Sequence, residues 1–292
     1  MACVSVRVPG TTANLAAGFD CLGCALQIYN TLTFTQAASG LRITGCPPEF
    51  ANAENLAYRA YAAALRALGL PEEGLSIHIS GGIPVSRGLG SSAALIAAGV
   101  SAANALHGYA LPGEELLAVA TALEGHPDNV APALFGGLTA SMMEGGVPIT
   151  RQFALSPAWR FTVLIPPFPL RTAAARAALP AQVTHADAVH NLSHCALLLK
   201  ALETGDGALL RASLSDRLHQ PYRAAMIADY ATVRALALRA GADGVCISGA
   251  GPTLLALSRA PGLDARLQPE LPERWQARTL EADFVGTVCD IM

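Results

Sequence analysis

Pro84-Val85-Ser86-Arg87-Gly88-Leu89-Gly90-Ser91-Ser92-Ala93-Ala94 decides how this chain is read. The alternation at 75–80 (Leu-Ser-Ile-His-Ile-Ser) predicts a strand before it, and the Ala-rich run at 91–106 predicts a helix after it. Two glycines let the backbone come close to a ligand. Two serines then open the helix, where unpaired N–H groups and the positive dipole end favour an anion. This is a phosphate cradle that needs no lysine, and a serine hydroxyl there can also reach a metal ion bridging phosphates. A plain serine-capped helix start leaves the flanking glycines unexplained. Residues 88–93 also fit the dinucleotide fingerprint G-x-G-x-x-A. That fingerprint requires an acidic strand end about 20 residues on, and Leu111-Pro112-Gly113-Glu114 at that distance reads as a helix start.

Lysine is almost missing from the chain: of 19 basic residues, Lys200 alone is not arginine. A P-loop ending in Lys-Ser or Lys-Thr and the strand lysine of a protein kinase are both excluded. The 292 residues are 52% apolar and 14% charged, with a formal net charge of −3. Disorder needs the opposite balance, and the weak acidity offers no basic field for nucleic acid or a membrane surface. The expected partners are small molecules. The odd number of cysteines, seven, and their apolar surroundings predict buried thiols in a reducing compartment. Cys21-Leu-Gly-Cys24 has no second pair and reads as small core residues. The N-terminus alternates like a strand rather than a leader, and no apolar run reaches 18 residues, so a cytoplasmic protein is expected.

Val4, Val6 and Val8 predict a first strand ended by Pro9-Gly10, and a second strand is expected at 29–35. Helices are expected at 55–68, 91–106 and 114–123, and a strand at 135–142. A pause at Gly145-Gly146 sets a domain boundary near residue 150, giving domains 1–150 and 151–292. The second part reads as a strand at 161–165, helices near 172–178, 185–202, 207–213 and 229–240, short strands at 245–248 and 254–257, and a final helix and strand. Mixing without strict βα alternation predicts an α+β fold.

Residues 84–93 match P-x-x-x-G-L-G-S-S-A, the ATP-phosphate motif of the GHMP kinases, which the chain resembles over most of its length. Val8-Pro9-Gly10-Thr11-Thr12-Ala13-Asn14 through Asp20 and Ser248-Gly249-Ala250-Gly251-Pro252-Thr253 supply the family's other two motifs in the expected order. Within the superfamily the chain is similar to the homoserine kinases. Glu124-Gly125-His126-Pro127-Asp128-Asn129-Val130-Ala131-Pro132-Ala133 and Gly136-Gly137 match their E-G-H-P-D-N-V-A-P-A-x-x-G-G segment; 172–180 and Pro221-Tyr222-Arg223 match two more. Gly10, Thr12 and Ala16-Ala17 depart from the usual alanine, serine and Gly-Pro.

The resemblance implies a first domain like ribosomal protein S5 domain 2 and a ferredoxin-like second domain. It implies transfer of phosphate from ATP, with Mg2+, to the hydroxyl of L-homoserine on the route to threonine. ATP would contact Pro84, Arg87, Gly88, Leu89, Gly90, Ser91, Ser92 and Ala93. Ser92 and Glu124 would hold the metal. Arg176 and Arg223 would bind the acceptor carboxylate as forks, and Asn14 and Asp20 its ammonium, with His126 and Asp128 as further contacts. Asn129 would orient the hydroxyl without a dedicated strong base, completing a catalytic group of Glu124, Asp128 and Asn129. Lys200 is not expected to reach the site. His190 and His194, four apart, lack an obvious acidic third metal ligand. A homodimer is an expectation of the family. Another GHMP acceptor such as mevalonate, and a non-catalytic nucleotide-binding protein on the same fold, stay as alternatives.

Overall fold

The inward valines start β1 (Cys3–Ala13), but the strand does not stop at Pro9-Gly10. In this computed structural model, which describes residues 2–292, its ladder with β2 (Leu22–Ala37) shifts register between Pro9 and Gly10 and resumes. A bulge is one of the few places a sheet accepts proline, so the expected loop begins at Asn14 rather than at residue 11. β3 (Leu41–Thr44), β4 (Gly74–Gly81), β5 (Leu138–Glu144) and β6 (Val147–Phe153) complete the first sheet from this half of the chain. The hairpin β5–β6 pairs with the N-terminal end of β2, so residue 150, the expected boundary, falls inside a strand of the first sheet.

Four helices pack on this sheet: α1 (Leu56–Ala67), α2 (Ser91–Leu106), α3 (Gly113–Glu124) and α4 (Pro127–Phe135). Asn55 caps α1 by accepting from the Ala57 amide at 3.0 Å. α2 is buried on nearly every side, which its alanine content allows. It crosses α1 so closely that a Cβ on Gly99 would lie 2.3 Å from the Ala57 carbonyl oxygen. α4 has no counterpart among the elements expected from sequence; Pro127 sits at the first turn, where proline is favoured, and Pro132 lies inside the helix.

The second sheet contains β7 (Arg160–Ile165), β8 (Gly244–Ile247), β9 (Leu254–Ser258) and β10 (Gln276–Leu280). Its order is β10-β7-β9-β8, with every neighbour antiparallel. In chain order that is fourth, first, third, second, the split βαβ arrangement of ferredoxin-like folds. The helices here are α5 (Thr172–Ala177), α6 (His185–Thr204), α7 (Gly207–Ser213), α8 (Gln220–Arg223), α9 (Tyr230–Arg239) and α10 (Leu263–Leu267). Phe161, Val163, Leu255 and Leu257 share one core with α6 and with the first domain. Leu164, Ile247 and Leu254 point the other way, into a second core with Val233 and Leu236 of α9 and Leu263 of α10. A last strand, β11 (Val288–Ile291), returns to pair with β1. The chain end therefore binds the two halves together.

Gly99→Ala is expected to lower unfolding stability by about 1–3 kcal/mol, the usual cost of overpacking, because the new methyl meets backbone that cannot swing aside. Chemical denaturation checks this; an unchanged midpoint would mean that the α1–α2 crossing is looser than described.

Candidate active site

α2 opens without a side-chain cap. Its N-cap is Gly90, at φ 69°, and no side chain occupies the first amides. A helix of this length leaves unmet N–H groups and a partial positive charge at that end. Gly88 precedes it at φ 75°. A Cβ on Gly88 would lie 2.4 Å from the Ser248 carbonyl oxygen, and one on Gly90 2.0 Å from Thr11 Oγ1. Both positions thus need glycine for the left-handed backbone and again for the close approach.

The loop is fastened from both ends of the chain. Thr11 N donates to Leu89 O at 3.1 Å, Ser248 Oγ to Gly88 O at 2.6 Å and Thr253 N to Arg87 O at 3.3 Å. Of the eight residues expected around the phosphates, Gly88, Gly90, Ser91 and Ser92 line one cleft. Leu89 and Ala93 point into the core. Pro84 does not line the cleft. Arg87 turns out of it and donates to the carbonyls of Val85, Pro166 and Pro167. Ser86, Leu170, Thr172, Gly249 and Ala250 also line the cleft; all but Leu170 stand in the motifs quoted above, which assign them no contact.

Gly125, left-handed at φ 92°, turns the chain sharply between α3 and α4. The turn brings Glu124, at the end of α3, beside His126, Asp128 and Asn129 at the start of α4, and all four line the cleft. Ser92 Oγ donates to Glu124 Oε2 at 2.5 Å. Burial, reinforced by the nearby Asp128 charge, pushes the Glu124 carboxyl above its ordinary range, against the Ser92 hydrogen bond and His126. His126 Nδ1 is hydrogen-bonded to Asp128 Oδ1. Burial opposes charge on His126, but the bond to Asp128 and the charges of Asp128, Glu124 and Asp20 outweigh it and raise its pKa. Thr11 Oγ1 donates to Asn129 Oδ1 at 2.8 Å, which leaves the Asn129 amino group for the cleft. Thr11 is fully buried, and its role was invisible in the sequence because its partner is 118 residues away.

The opposite wall carries charge. Arg176 forms a bidentate pair with Asp20, at 2.8 and 3.0 Å. Arg223 is only 2% exposed; it donates to the carbonyls of Ala175 and Gly249, both at 3.3 Å. The two guanidinium carbons lie 5.9 Å (Arg176) and 5.2 Å (Arg223) from the Phe19 ring centroid, within cation–π range. Asn14 sits at the cleft edge, but both ends of its amide are engaged, by Gly249 O at 2.8 Å and by the Asp20 amide at 2.9 Å. It braces the site more than it offers a free group. Asn14, Leu15, Ala16 and Asp20 all have positive φ. Such a backbone costs about 1–2 kcal/mol per non-glycine residue, so the loop must be held by its contacts. One is His219, whose Nε2 donates to Ala16 O at 2.9 Å. Its Nδ1 then accepts from Arg223 Nη1 at 3.3 Å, and its ring stacks on Phe19.

Lys200 pairs with Glu203 on the surface of α6 at 2.9 Å and does not line the cleft. His190 and His194 stack on each other. Among the described residues no group of three or more His, Cys, Asp or Glu side chains is placed to hold a metal, and no helix is long and apolar enough to cross a membrane.

Burial depresses the His219 pKa below 6.5, with the Arg223 charge acting the same way and Asp216 opposing. As pH falls through 6.5 the unfolded chain takes a proton that the folded chain refuses, so stability drops with acidification. His219→Gln, which can donate to Ala16 O and accept from Arg223, is expected to lose less stability than the parent between about pH 7 and 5. Thermal unfolding across that range checks this; parallel curves would refute a buried neutral ring.

Comparison with known proteins identifies the family. Residues 55–137 match the family model for the GHMP kinase N-terminal domain, and residues 198–277 the model for the C-terminal domain. A homoserine kinase of Clostridium botulinum is 41% identical over 290 residues, covering 98% of each chain. One from a Synechococcus strain is 46% identical over 287 residues, covering 95% of this chain and 92% of its own. The crystal structure of homoserine kinase from Cytophaga hutchinsonii superposes with a TM-score of 0.88 at 29% identity, covering 99% of this chain and 97% of that one. The chain belongs to the GHMP kinase family, and these end-to-end relatives are homoserine kinases.

Proposed function

We propose that this protein is a homoserine kinase. It transfers the terminal phosphoryl group of ATP to the side-chain hydroxyl of L-homoserine, releasing ADP and O-phospho-L-homoserine. The bond from phosphorus to the ADP oxygen breaks, the bond to the homoserine oxygen forms, and the hydroxyl proton leaves to solvent. One observation carries this reading: a lysine-free anion cradle shares a single cleft with two guanidinium groups and the Asp20 carboxylate. An acceptor with both a carboxylate and an ammonium matches that wall. A sugar carries neither charge, and a hydroxy acid such as mevalonate leaves Asp20 without a partner.

The amides of Ser91 and Ser92 and the open backbone at Gly88 and Gly90 would take the phosphates. Ser92 and Glu124 are an all-oxygen pair suited to Mg2+, which keeps waters and phosphate oxygens as its other ligands. When bound, Mg2+ neutralises phosphate charge. The Asn129 amino group, fixed by Thr11, can donate to the acceptor hydroxyl oxygen and so aim its lone pair. It cannot take the proton. Phosphoryl transfer through a loose transition state depends mainly on positioning and charge stabilisation, so a strong base is not required. His126 and Asp128 lie between the metal pair and the charged wall, where a bound acceptor would meet them.

Coupled ADP release is expected with L-homoserine and not with mevalonate or galactose. Arg223→Met should raise the KM for L-homoserine by roughly 10–100-fold, the worth of a charged hydrogen bond, and leave the KM for ATP near the parent value. Thr11→Val keeps the shape of the side chain but frees the Asn129 amide; kcat should fall by about tenfold. Turnover restricted to another alcohol would reject the acceptor, and undiminished kcat in the valine variant would reject the role of Asn129.

A further inference from the structure

α5 lines the cleft through Thr172 and Arg176. Of its residues only Ala175 is buried. Its backbone is tied at Ala175 O by Arg223, and the segment before it at Leu170, whose amide donates to Ser86 O at 3.1 Å. Among the described residues, its side-chain link to the first domain is the bidentate Arg176–Asp20 pair. The pair joins the group expected to bind the acceptor carboxylate to the group expected to bind its ammonium. The Asp20 backbone is left-handed and held through its amide by Asn14 Oδ1, which fixes where its side chain starts.

We infer that the Arg176–Asp20 pair stands in for the acceptor's own two charges, and that partner exchange across it selects a zwitterion. This rests on the homoserine reading of the same cleft. A zwitterionic alcohol breaks one ion pair and makes two, so neither protein charge is stranded. An alcohol with the carboxylate alone must compete with Asp20 for Arg176 and leaves Asp20 unpaired. An alcohol with the amine alone does the reverse. The pair also ties α5 to the first domain, so exchange passes that tie to the ligand itself. Both side chains are partly exposed, at 42% and 34%. The discrimination from the pair alone is therefore modest, about two- to fivefold for each stranded charge, and it adds to direct contacts.

Asp20→Asn, Arg176→Gln and the double variant test this in two ways. Thermal unfolding of the ligand-free proteins reads the pair itself: the double variant should lose no more stability than either single one. Binding by calorimetry reads the exchange. Asp20→Asn should weaken L-homoserine yet tighten 4-hydroxybutyrate about two- to fivefold, and Arg176→Gln should likewise tighten 3-aminopropan-1-ol. Additive losses of stability, or analogue affinities that do not improve, would overturn the exchange while homoserine turnover by the parent left the acceptor reading intact. A coupled pair in a parent protein that fails to bind L-homoserine would overturn both together. If one single variant does not fold, the other with its own analogue still decides.

Discussion

Everything in the cleft depends on how closely the backbone at Gly88–Gly90 is pressed between the two ends of the chain. Ser248 O and Thr11 Oγ1 occupy the space that side chains at Gly88 and Gly90 would need. The same neighbours bond to the loop, through Ser248 Oγ to Gly88 O and Thr11 N to Leu89 O. A third link, Gly249 N to Ala13 O, closes the ring between the first strand and the C-terminal turn. The loop is held by contacts separated by more than 150 residues on one side and nearly 80 on the other. Its conformation is a product of the completed fold, and a fragment containing residues 84–94 alone would not keep it.

On the proposed reading, that fastening explains how phosphate would be bound without lysine. A lysine brings its own charge on a flexible stem and can search for its ligand. Backbone amides and a helix end offer partial charges in fixed directions, so they must be aimed in advance. Aiming requires the loop to be rigid, which is what the glycine contacts and the Arg87 bonds to three carbonyls provide. Arg87 illustrates the point. It sits in the phosphate motif and carries the right charge, yet it serves by holding the loop to the segment at Pro166-Pro167.

Much of this was legible from residue types alone. The helix at 91–106 and the strand at 75–80 follow from periodicity, and the glycine pair before the serines announced an anion site. The family motifs named Glu124, His126, Asp128, Asn129, Arg176 and Arg223, and the structure gathers all six along one cleft. What escaped has a common cause. α4 contains Pro132 in its interior, which local rules treat as a breaker, and tertiary packing overrides it. β1 continues past the bulge at Pro9-Gly10 only because β2 pairs with residues 10–13 beyond it. Thr11, Phe19 and His219 matter through partners far away in sequence, Asn129, Arg223 and Ala16, and no spacing rule points to them. Membership of a motif also failed to say which way a side chain points, as Leu89 and Ala93 show.

The departures Ala16-Ala17 can be understood in the same terms. Ala16 adopts φ 61°, where the related homoserine kinases usually carry glycine, so this chain accepts strain that a glycine would avoid. The strain is tolerated because the loop is over-determined. His219 donates to Ala16 O, Asn191 to Ala17 O at 3.4 Å, and Asn14 bonds at both ends of its amide. A left-handed turn enforced by three elements is less free to relax than one that glycine makes willingly. It fixes where Phe19 and Asp20 stand, and through them the two arginines. The acceptor wall is therefore set by side chains on a strained loop, while the phosphate wall is set by backbone on glycines. The two halves of the cleft are built by different means, so on the proposed reading substitutions on the acceptor wall would alter the choice of alcohol without disturbing the phosphate cradle.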